Sequence, residues 1–447
     1  MEVRSLAGMV TGKLRLAWIL VAALCLFTGW GFGQNTGQTV RHQRVAVEEP
    51  APAELLQAET ALDKKDFASA ETLLKQAIAH DEKNYRAWFD LGYVYNATGR
   101  KNDAIEAYRK SVAGKPDVFE SNLNLGLTLA QTGSPDAAQF LRAATQLKPS
   151  AHHEDGKARA WISLGHVLES SNPREALEAF GEAAKLQPNN PEPPLSTAGI
   201  REKQNDLAGA EREYQQASKL APNSTEPLAG LVNLYMKMKR LPEAESNLRR
   251  YLALDPQNGR AHLQLGRILT AEGKHDEALK ELNQGLLLSP HDAEAERDMA
   301  SLYESSGKLT QAEAQYRSLL SKRPDQADLH YGLANILMKQ HKFPEAQSEL
   351  LSALKLQPNL AEAYGSLAVT ASENGNYPLA VKALAARQQF LPETPATYFL
   401  RATAYDHLKQ FKLAAENYHQ FIASSGGKNP DQEWQAKHRL IAIEPKK

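Results

Sequence analysis

The fold is decided by residues 91–116, LGYVYNATGRKNDAIEAYRKSVAGKP, because the spacing within this stretch recurs through most of the chain. The recurring residues are, in order, Leu91, Gly92, Gly99, Ala104, Tyr108 and Pro116. The central glycine indicates a turn, since glycine adopts left-handed backbone geometry at little cost. The proline indicates the end of a helix. The stretch therefore predicts two helices that are joined by a short turn.

The alanine of this stretch belongs to a series that recurs along the chain. Successive members are 34, 33 and 39 residues apart, and then 34 residues apart seven times. The series is Ala70, Ala104, Ala137, Ala176, Ala210, Ala244, Ala278, Ala312, Ala346, Ala380 and Ala414. A fixed period of this length is typical of a repeated pair of helices. We therefore expect about eleven tandem helix pairs.

Two further positions keep register with these alanines. A small residue lies eleven or twelve positions before most of them, and a large apolar residue lies four positions after nearly all of them. The small residues are Gly92, Gly126, Gly165, Ala198, Gly266, Ala300, Ala334, Ala368 and Ala402. The large ones are Tyr108, Leu141, Phe180, Tyr214, Leu248, Leu282, Tyr316, Leu350, Leu384 and Tyr418. Small residues predict closely crossing helices, because a bulky side chain there would separate the helix axes.

The pattern resembles the tetratricopeptide-repeat (TPR) family, and the resemblance covers residues 51–426. The resemblance implies an all-α fold, a right-handed α-solenoid superhelix of helix-turn-helix repeats with a long concave groove. It also implies that the first helix of each repeat lines this groove. Candidate partner-binding residues at groove-facing positions are Tyr93, Asn124, His166, Asn233, Arg267, Arg297, Tyr331 and Asn335.

Two groove chemistries of the family are poorly matched by this sequence. Co-chaperone TPRs grip a C-terminal carboxylate with Lys, Asn and Arg side chains, but Phe89 and Tyr93 stand at the first pair of those positions. Arrays that serve O-linked acetylglucosamine transferases carry an asparagine ladder. Here Asn124 is followed at later rungs by Ser163, Ser196, Gly230, Gln264 and Asp298. We therefore expect the groove to use neither chemistry.

An insertion, Ser150 to Lys157 with the sequence SAHHEDGK, interrupts the period between Ala137 and Ala176. It predicts a longer surface loop or an extension of the next helix. His152, His153, Glu154 and Asp155 form its densest cluster of metal-ligand residue types. Adjacent histidines point in different directions, and no second cluster lies at helical spacing. We expect a solvated loop, with no metal or other cofactor.

The C-terminal residues predict one more helix after the glycine pair Gly426-Gly427. Its start is indicated by Asn429, Pro430 and Gln432. Its predicted apolar face consists of Trp434, Ala436, Leu440 and Ile441. We expect residues 427–447 to form a capping helix and tail that cover the last repeat.

The N-terminus, residues 1–33, predicts a signal peptide or a membrane anchor. Basic residues up to Arg15 precede the apolar run from Leu16 to Phe27, whose 12 residues are fewer than the ~20 that span a bilayer. Cleavage near Gly33 would export the chain to the periplasm or the medium, whereas an uncleaved segment would tether it to a membrane. Residues 34–50 are polar and predict a flexible linker. A lipid anchor at Cys25 is less favoured, because Leu24 stands where a small residue is wanted.

Composition and missing motifs argue against several classes of function. The net charge is −1, without the clustered basic footprint of a nucleic-acid binder. Cys25 is the single cysteine, so no disulfide can form within one chain. The sequence contains no Walker phosphate loop, zinc-protease helix or nucleophile elbow. Because the array occupies most of the 447 residues, we expect no catalytic domain and no small-molecule substrate.

The sequence thus favours a non-catalytic scaffold of the cell envelope that binds partner proteins or peptides in its groove. Two alternatives remain open. One is a structural component of a secretion or exopolysaccharide-export complex, and the other is a regulatory arm of a separately encoded enzyme.

Overall fold

The computed structural model describes residues 52–290 and 292–444, and its described residues form two compact units, 52–256 and 257–444. Both units consist of helices and their connections, with no strand in the ranges described. The predicted signal or anchor (1–33) and linker (34–50) lie outside these ranges. Among the helices that are described, none combines the length and the apolar character needed to cross a membrane.

The N-terminal unit contains six consecutive helix pairs in its described part, and each helix packs on its neighbours in the chain. The first helices of the pairs are α1 (Ala53–Asp63), α3 (Tyr85–Ala97), α5 (Phe119–Gln131), α7 (His153–Leu168), α9 (Glu192–Lys203) and α11 (Glu226–Lys237). The second helices are α2 (Phe67–His80), α4 (Lys101–Gly114), α6 (Ala137–Gln146), α8 (Pro173–Leu186), α10 (Leu207–Leu220) and α12 (Leu241–Leu254).

The C-terminal unit continues the same pattern with five described pairs and a final helix. Its first helices are α13 (Gly259–Ala271), α15 (Ala293–Ser305), α17 (Ala327–Lys339), α19 (Ala361–Glu373) and α21 (Pro395–His407). Its second helices are α14 (His275–Leu288), α16 (Leu309–Lys322), α18 (Phe343–Leu356), α20 (Tyr377–Gln388) and α22 (Phe411–Ser425), and α23 (Pro430–Ile443) follows them. The predicted all-α fold of tandem helix pairs is confirmed in both units.

The packing explains why small residues recur at fixed positions. All eleven alanines of the periodic series are 0% exposed. A Cβ added at Gly92 would lie 2.7 Å from the ring of Tyr108, and one added at Gly165 would lie 2.7 Å from the ring of Phe180. The large residue of the second helix therefore occupies the space that the glycine leaves open on the first helix, as the pattern predicts.

The turns within pairs share one backbone feature that the sequence reveals only in part. The predicted turn glycines, such as Gly99 at φ 79°, adopt left-handed geometry. Five other turns place a non-glycine residue in this geometry, with φ between 58° and 62°: Lys65, Asn205, Lys239, His341 and Lys409. Left-handed geometry is unfavourable for lysine and histidine, whereas asparagine adopts it more readily. Packing of the two helices therefore fixes these turns even where the residue type does not favour them.

The connections between pairs are held by side chains at the fourth position of a first helix. The Trp88 indole nitrogen donates to the carbonyl of Glu82 at 2.9 Å, and the Asn122 amide donates to the carbonyl of Pro116 at 2.9 Å. In the C-terminal unit, the Tyr364 hydroxyl donates to the carbonyl of Pro358 at 3.0 Å. In each case the acceptor lies six residues earlier, in the preceding turn. These bonds give partners to carbonyls of the connecting turns and tie each turn to the helix that follows it.

The final helix, α23, packs by a different face from the one predicted. Ala436 and Leu440 are 0% and 7% exposed, as expected, but Trp434 and Ile441 are 61% and 70% exposed. Residues four apart lie on one side of a helix, so Ala436 and Leu440 share the buried side while the other two point away. Trp434 instead contacts the ring of His438 on its own helix, with ring centroids 3.9 Å apart and ring planes tilted by 34°. The predicted apolar face is wrong for these two residues.

Candidate functional site

A cavity of about 1030 Å³ lies inside the N-terminal unit and is the candidate site. It is bounded by the first helices of four consecutive pairs, α1, α3, α5 and α7, together with the segment 149–152. The resemblance predicts that first helices line the binding groove of a TPR array. The lining residues are Glu59, Asp63, Tyr85, Arg86, Phe89, Asp90, Val118, Phe119, Glu120, Ser121, Pro149, Ser150, Ala151, His152, Asp155, Gly156 and Arg159.

One wall of the cavity is built by the insertion that the sequence shows between Ala137 and Ala176. Most of the insertion joins α7, which has 16 residues, whereas the other first helices described have 11 to 13. Of the two predicted outcomes, the helix extension is the main one. The extension begins after His152, whose φ of 47° turns the chain sharply into α7.

Polar contacts fasten this wall to the neighbouring repeats. The backbone N–H and the hydroxyl of Ser150 both donate to Glu120 Oε1, at 2.7 and 2.6 Å. On its other side, the Gln187 amide donates to Asp155 Oδ1 at 2.7 Å. Glu120 lies on α5, and Gln187 directly follows α8. The wall is therefore held from both sides, and the cavity is a built feature of this part of the array.

The floor of the cavity is apolar and closely packed. Phe89 and Phe119 are each 2% exposed. A Cβ added at Gly156 would lie 3.0 Å from Pro149 and 3.4 Å from Phe119, so the glycine lets α7 approach this floor. The two rings thus support the cavity from within the packed core.

The lining is rich in charged groups, and most of them are acidic. It contains five carboxylates (Glu59, Asp63, Asp90, Glu120 and Asp155) and two guanidinium groups (Arg86 and Arg159). Arg86 forms an ion pair with Glu59, with Nη2 2.7 Å from Oε1. Burial lowers the pKa of Arg159, because desolvation disfavours the charged guanidinium. Asp90 and Glu120 are each 5% exposed, while Asp63 and Asp155 are exposed.

The predicted binding residues of the N-terminal unit lie on first helices but outside the cavity lining. Asn124 on α5 is fully buried, with its amide nitrogen 3.4 Å from the Tyr108 hydroxyl. Tyr93 on α3 is partly buried against the apolar core. Asn233 on α11 is half-buried. The role of these residues in binding stays a prediction.

His166 on α7 connects two consecutive pairs. Its Nδ1 lies 2.9 Å from Glu169 Oε1, and its Nε2 lies 3.0 Å from Glu192 Oε1 at the start of α9. The ring also packs edge-on against Phe180, with centroids 5.1 Å apart. Burial disfavours the imidazolium, but hydrogen bonds and attraction from the two carboxylates outweigh it and raise the pKa of His166 to about 9. At neutral pH His166 is therefore a charged link between α7 and α9.

Two of the predicted binding residues in the C-terminal unit form ion pairs with carboxylates of the following pair. Arg267 Nε lies 2.6 Å from Asp298 Oδ2, and Arg297 lies 3.4 Å from Asp328. Tyr331 packs against the apolar core, and Asn335 is half-buried. Both arginines thus reach to the first helix of the following pair. The role of these four residues in partner binding stays a prediction.

The pattern of the repeat did not reveal the cavity residues. Only the insertion marks this region, and it predicts a longer surface loop or an extension of the next helix. His152 and Asp155 are indeed exposed, but they also line the cavity. In the ranges that the structure describes, no group of three or more His, Cys, Asp or Glu side chains is arranged to hold a metal ion.

Comparison with family models gives two matches to this chain. The model described as the cilia and flagella-associated protein 70 C-terminal domain matches residues 42–299. A tetratricopeptide-repeat model matches residues 303–369.

Several curated proteins share short segments with the chain. Human cilia- and flagella-associated protein 70 is 30% identical over 145 residues, which cover 31% of this chain and 12% of that protein. Protein NPGR1 of Arabidopsis thaliana is 26% identical over 121 residues, which cover 26% and 17%. Human tetratricopeptide repeat protein 7A is 25% identical over 141 residues, which cover 31% and 16%. The chain therefore matches less than a fifth of the length of each of these relatives.

Solved TPR structures are also similar to this chain. YrrB, described as a TPR protein with an unusual peptide-binding site, is 23% identical, with a TM-score of 0.38 and coverage of 42% of this chain and 98% of that one. Yeast Tom70 is 15% identical, with a TM-score of 0.33 and coverage of 88% and 95%.

Proposed function

Since the chain belongs to the family of the cilia and flagella-associated protein 70 C-terminal domain, a tetratricopeptide-repeat family, we propose that it is a non-catalytic scaffold whose N-terminal unit holds a peptide segment of a partner protein. The tandem helix pairs and the family support an interaction scaffold of the TPR type in general. The cavity between α1, α3, α5 and α7 is the observation that carries the proposal of a peptide site.

The size of the cavity suits a peptide segment. Its volume of about 1030 Å³ is at the upper limit of the ~300–1,000 Å³ of most small-molecule sites. Packed helices lie ~8–10 Å apart, so four neighbouring first helices span roughly 25–30 Å. An extended chain rises ~3.3 Å per residue, so about eight or nine residues would cover that distance. Phe89 and Phe119 support the floor but are almost fully buried, so such a segment would contact the less buried lining residues Tyr85, Ala151 and His152.

We also propose that the scaffold acts outside the cytoplasm, either exported or tethered by its N-terminus. This part rests on the apolar run from Leu16 to Phe27 and the basic residues before it. Cell fractionation and N-terminal sequencing of the mature chain test it. A first residue near Gln34 in an exported fraction would support cleavage and export. An intact chain in the cytoplasm would contradict export and tethering but not the proposed peptide site.

The peptide site is tested by selecting random displayed peptides against the full chain. Selected peptides are synthesised, and their Kd is measured by fluorescence anisotropy with the wild type and with two variants. Ala151→Trp places a large ring at the cavity lining, whereas Ala68→Trp places the same ring at an exposed position of α2 outside the lining. We expect Ala151→Trp to weaken binding at least about tenfold and Ala68→Trp to leave it unchanged.

Circular dichroism and thermal unfolding of both variants show whether the fold is retained. If no peptide is enriched above the empty support, the chain is not a general peptide scaffold. If folded Ala151→Trp binds the selected peptides as tightly as Ala68→Trp does, the peptide site lies elsewhere.

A further inference from the structure

We infer that residues 40–47 of the chain itself, with the sequence VRHQRVAV, bind in the cavity until a partner peptide displaces them. The inference rests on the proposed peptide site, and residues 40–47 are called the N-terminal arm below. A partner would compete with the arm for the same lining. The arm would therefore regulate access to the site.

The N-terminal arm precedes the cavity closely along the chain. Residues before Pro52 lie outside the ranges that the structure describes, and Pro52 itself is extended, with φ −54° and ψ 149°. The next residue begins α1, and Glu59 and Asp63 of that helix line the cavity. A helix rises ~1.5 Å per residue, so roughly 9 Å of helix separates Ala53 from Glu59. The chain therefore enters the array close to one end of the candidate site.

The connection between the arm and α1 is long enough for the arm to reach the lining. Residues 48–52 form this connection, and five extended residues span up to roughly 16 Å at ~3.3 Å each. That length exceeds the distance from the start of α1 to Glu59. The eight residues of the arm then span roughly 26 Å, which matches the roughly 25–30 Å across four neighbouring first helices. An arm that starts at α1 can therefore extend to the wall at 149–152.

The residue types of the arm suit the part of the lining that a ligand can reach. Tyr85 on α3 and Ala151 before α7 are only partly buried and offer apolar surface. The arm carries three apolar β-branched side chains, at Val40, Val45 and Val47. Such residues favour extended backbone, which a segment that crosses successive helices requires. The fit thus depends on length and apolar contact, and not on charge.

The covalent connection makes even weak binding by the arm effective. A short connection gives a tethered segment an effective concentration on the order of 1 mM. An arm whose free segment binds with a Kd of ~1 mM would therefore occupy about half of the cavities. The apparent Kd of a partner peptide rises in inverse proportion to the fraction of open cavities. The arm would thus set a minimum affinity for partners.

Photo-crosslinking of the full chain tests where the arm lies. The photoreactive amino acid p-benzoylphenylalanine replaces Val45, or replaces Gln34 in the matched control before the arm, and crosslinked residues are identified by mass spectrometry. We expect position 45 to crosslink to the lining, as at Tyr85 or Ala151, at least about threefold more than position 34. An excess of a selected peptide should reduce these crosslinks at least about twofold.

A second experiment measures the competition directly. Val40→Ser, Val45→Ser and Val47→Ser together remove the apolar side chains of the arm and keep its charge. We expect this triple variant to bind selected peptides about twofold to tenfold more tightly than the wild type in fluorescence anisotropy. The control replaces three residues before the arm with serine, at Gln34, Thr36 and Gln38, and should leave the Kd unchanged.

The outcomes distinguish the arm from the proposed function. Equal Kd values for the triple variant and the control, without crosslinks to the lining, would overturn the inference. The peptide site would still stand if Ala151→Trp weakened peptide binding. Crosslinks to the lining that a selected peptide does not reduce would also overturn the inference, as would crosslinks only between two chains. Crosslinks to the lining in a chain that enriches no peptide would support the position of the arm and contradict the proposed function.

Discussion

At the scale of single residues, two glycines of the N-terminal unit predict opposite effects of the same substitution. Gly92 faces the fully buried ring of Tyr108, and an added Cβ would lie 2.7 Å from it. Gly181 lies within α8, and an added Cβ there would have no neighbour within 4 Å. We expect Gly92→Ala to lower the free energy of unfolding by about 1–3 kcal/mol, because the two helices must separate.

Gly181→Ala is the matched control, and we expect it to raise the same free energy by up to about 1 kcal/mol through helix propensity. Urea unfolding of the two variants followed by circular dichroism measures both effects. Stabilisation by Gly92→Ala would show that the first and second helices of this pair are packed less closely than the structure indicates.

His166 predicts a dependence of stability on pH. Its pKa is raised to about 9 in the folded chain, against an ordinary value of 6.5. Folding therefore favours the protonated ring, which the facing carboxylates of Glu169 and Glu192 stabilise. This contribution is fully present below about pH 6.5 and is lost as the pH rises through about 9. We expect His166→Gln to lower the free energy of unfolding by about 2–3 kcal/mol at pH 6 and by much less at pH 9.5.

His153→Gln is the control for this titration, because His153 is exposed at the start of α7. Urea unfolding of wild type and both variants at several pH values isolates the contribution of each ring. A difference between wild type and His166→Gln that does not vary with pH would show that the ring is neutral and acts only by packing.

At the scale of one helix, α23 offers a direct comparison of two neighbouring apolar residues. Leu440 is 7% exposed, whereas Ile441 is 70% exposed. The helix is also held by Arg439, whose guanidinium makes two contacts with Asp406 at 2.5 and 2.8 Å. We expect Leu440→Ala to lower the free energy of unfolding of this end of the chain by about 2–4 kcal/mol.

Ile441→Ala should change the same quantity by less than about 0.5 kcal/mol, because its side chain is already in water. Amide hydrogen exchange of α22 and α23 reports the local stability of this end. Equal effects of the two substitutions would favour the apolar face that the sequence pattern indicates over the one observed.

The elements themselves were largely predictable from sequence, because each one follows from a local rule. The alanine period and the turn glycines mark helix pairs without any knowledge of distant contacts. The sequence pattern does not indicate the turns at Lys65 and Lys239, because lysine has no preference for left-handed geometry. Helix packing imposes that geometry there. The buried face of α23 was mispredicted at Trp434, because hydropathy alone does not show which side of the final helix packs on the preceding pair.

The candidate site was much less predictable than the elements. Its lining comes from helices that start as far apart as Ala53 and His153, so it depends on how four pairs align. In the sequence, Arg86 and Glu120 are ordinary polar residues of a first helix. Only the structure shows that they contact Glu59 and Ser150. The eight predicted binding residues follow the repeat register, whereas the cavity arises where an insertion departs from that register.

At the scale of the whole molecule, the division into units predicts where the binding activity resides. Every residue of the cavity lining lies between Glu59 and Arg159, within the unit that ends at Pro256. Stability in such arrays is a sum over neighbouring repeats, so a part of the array can fold without the rest. We expect a chain that ends at Pro256 to remain helical and to bind selected peptides with a Kd within about twofold of the full chain.

The complementary chain, residues 257–447, should be helical and should not bind these peptides. Circular dichroism and fluorescence anisotropy on the two fragments provide the measurement. A shorter chain that stays helical but no longer binds would show that the C-terminal unit contributes to the site.

The segment that builds the cavity wall has a consequence for how such arrays diversify. Because each pair rests only on its neighbours, the insertion at Ser150–Lys157 lengthens one period from 34 to 39 residues and leaves the period of the later pairs at 34 residues. A single insertion in one repeat can thus create a binding site without changes in the other repeats. The same modularity makes the segment transplantable: grafted between other pairs of a repeat array, it is expected to lengthen the following helix and to add a cavity wall at the new place.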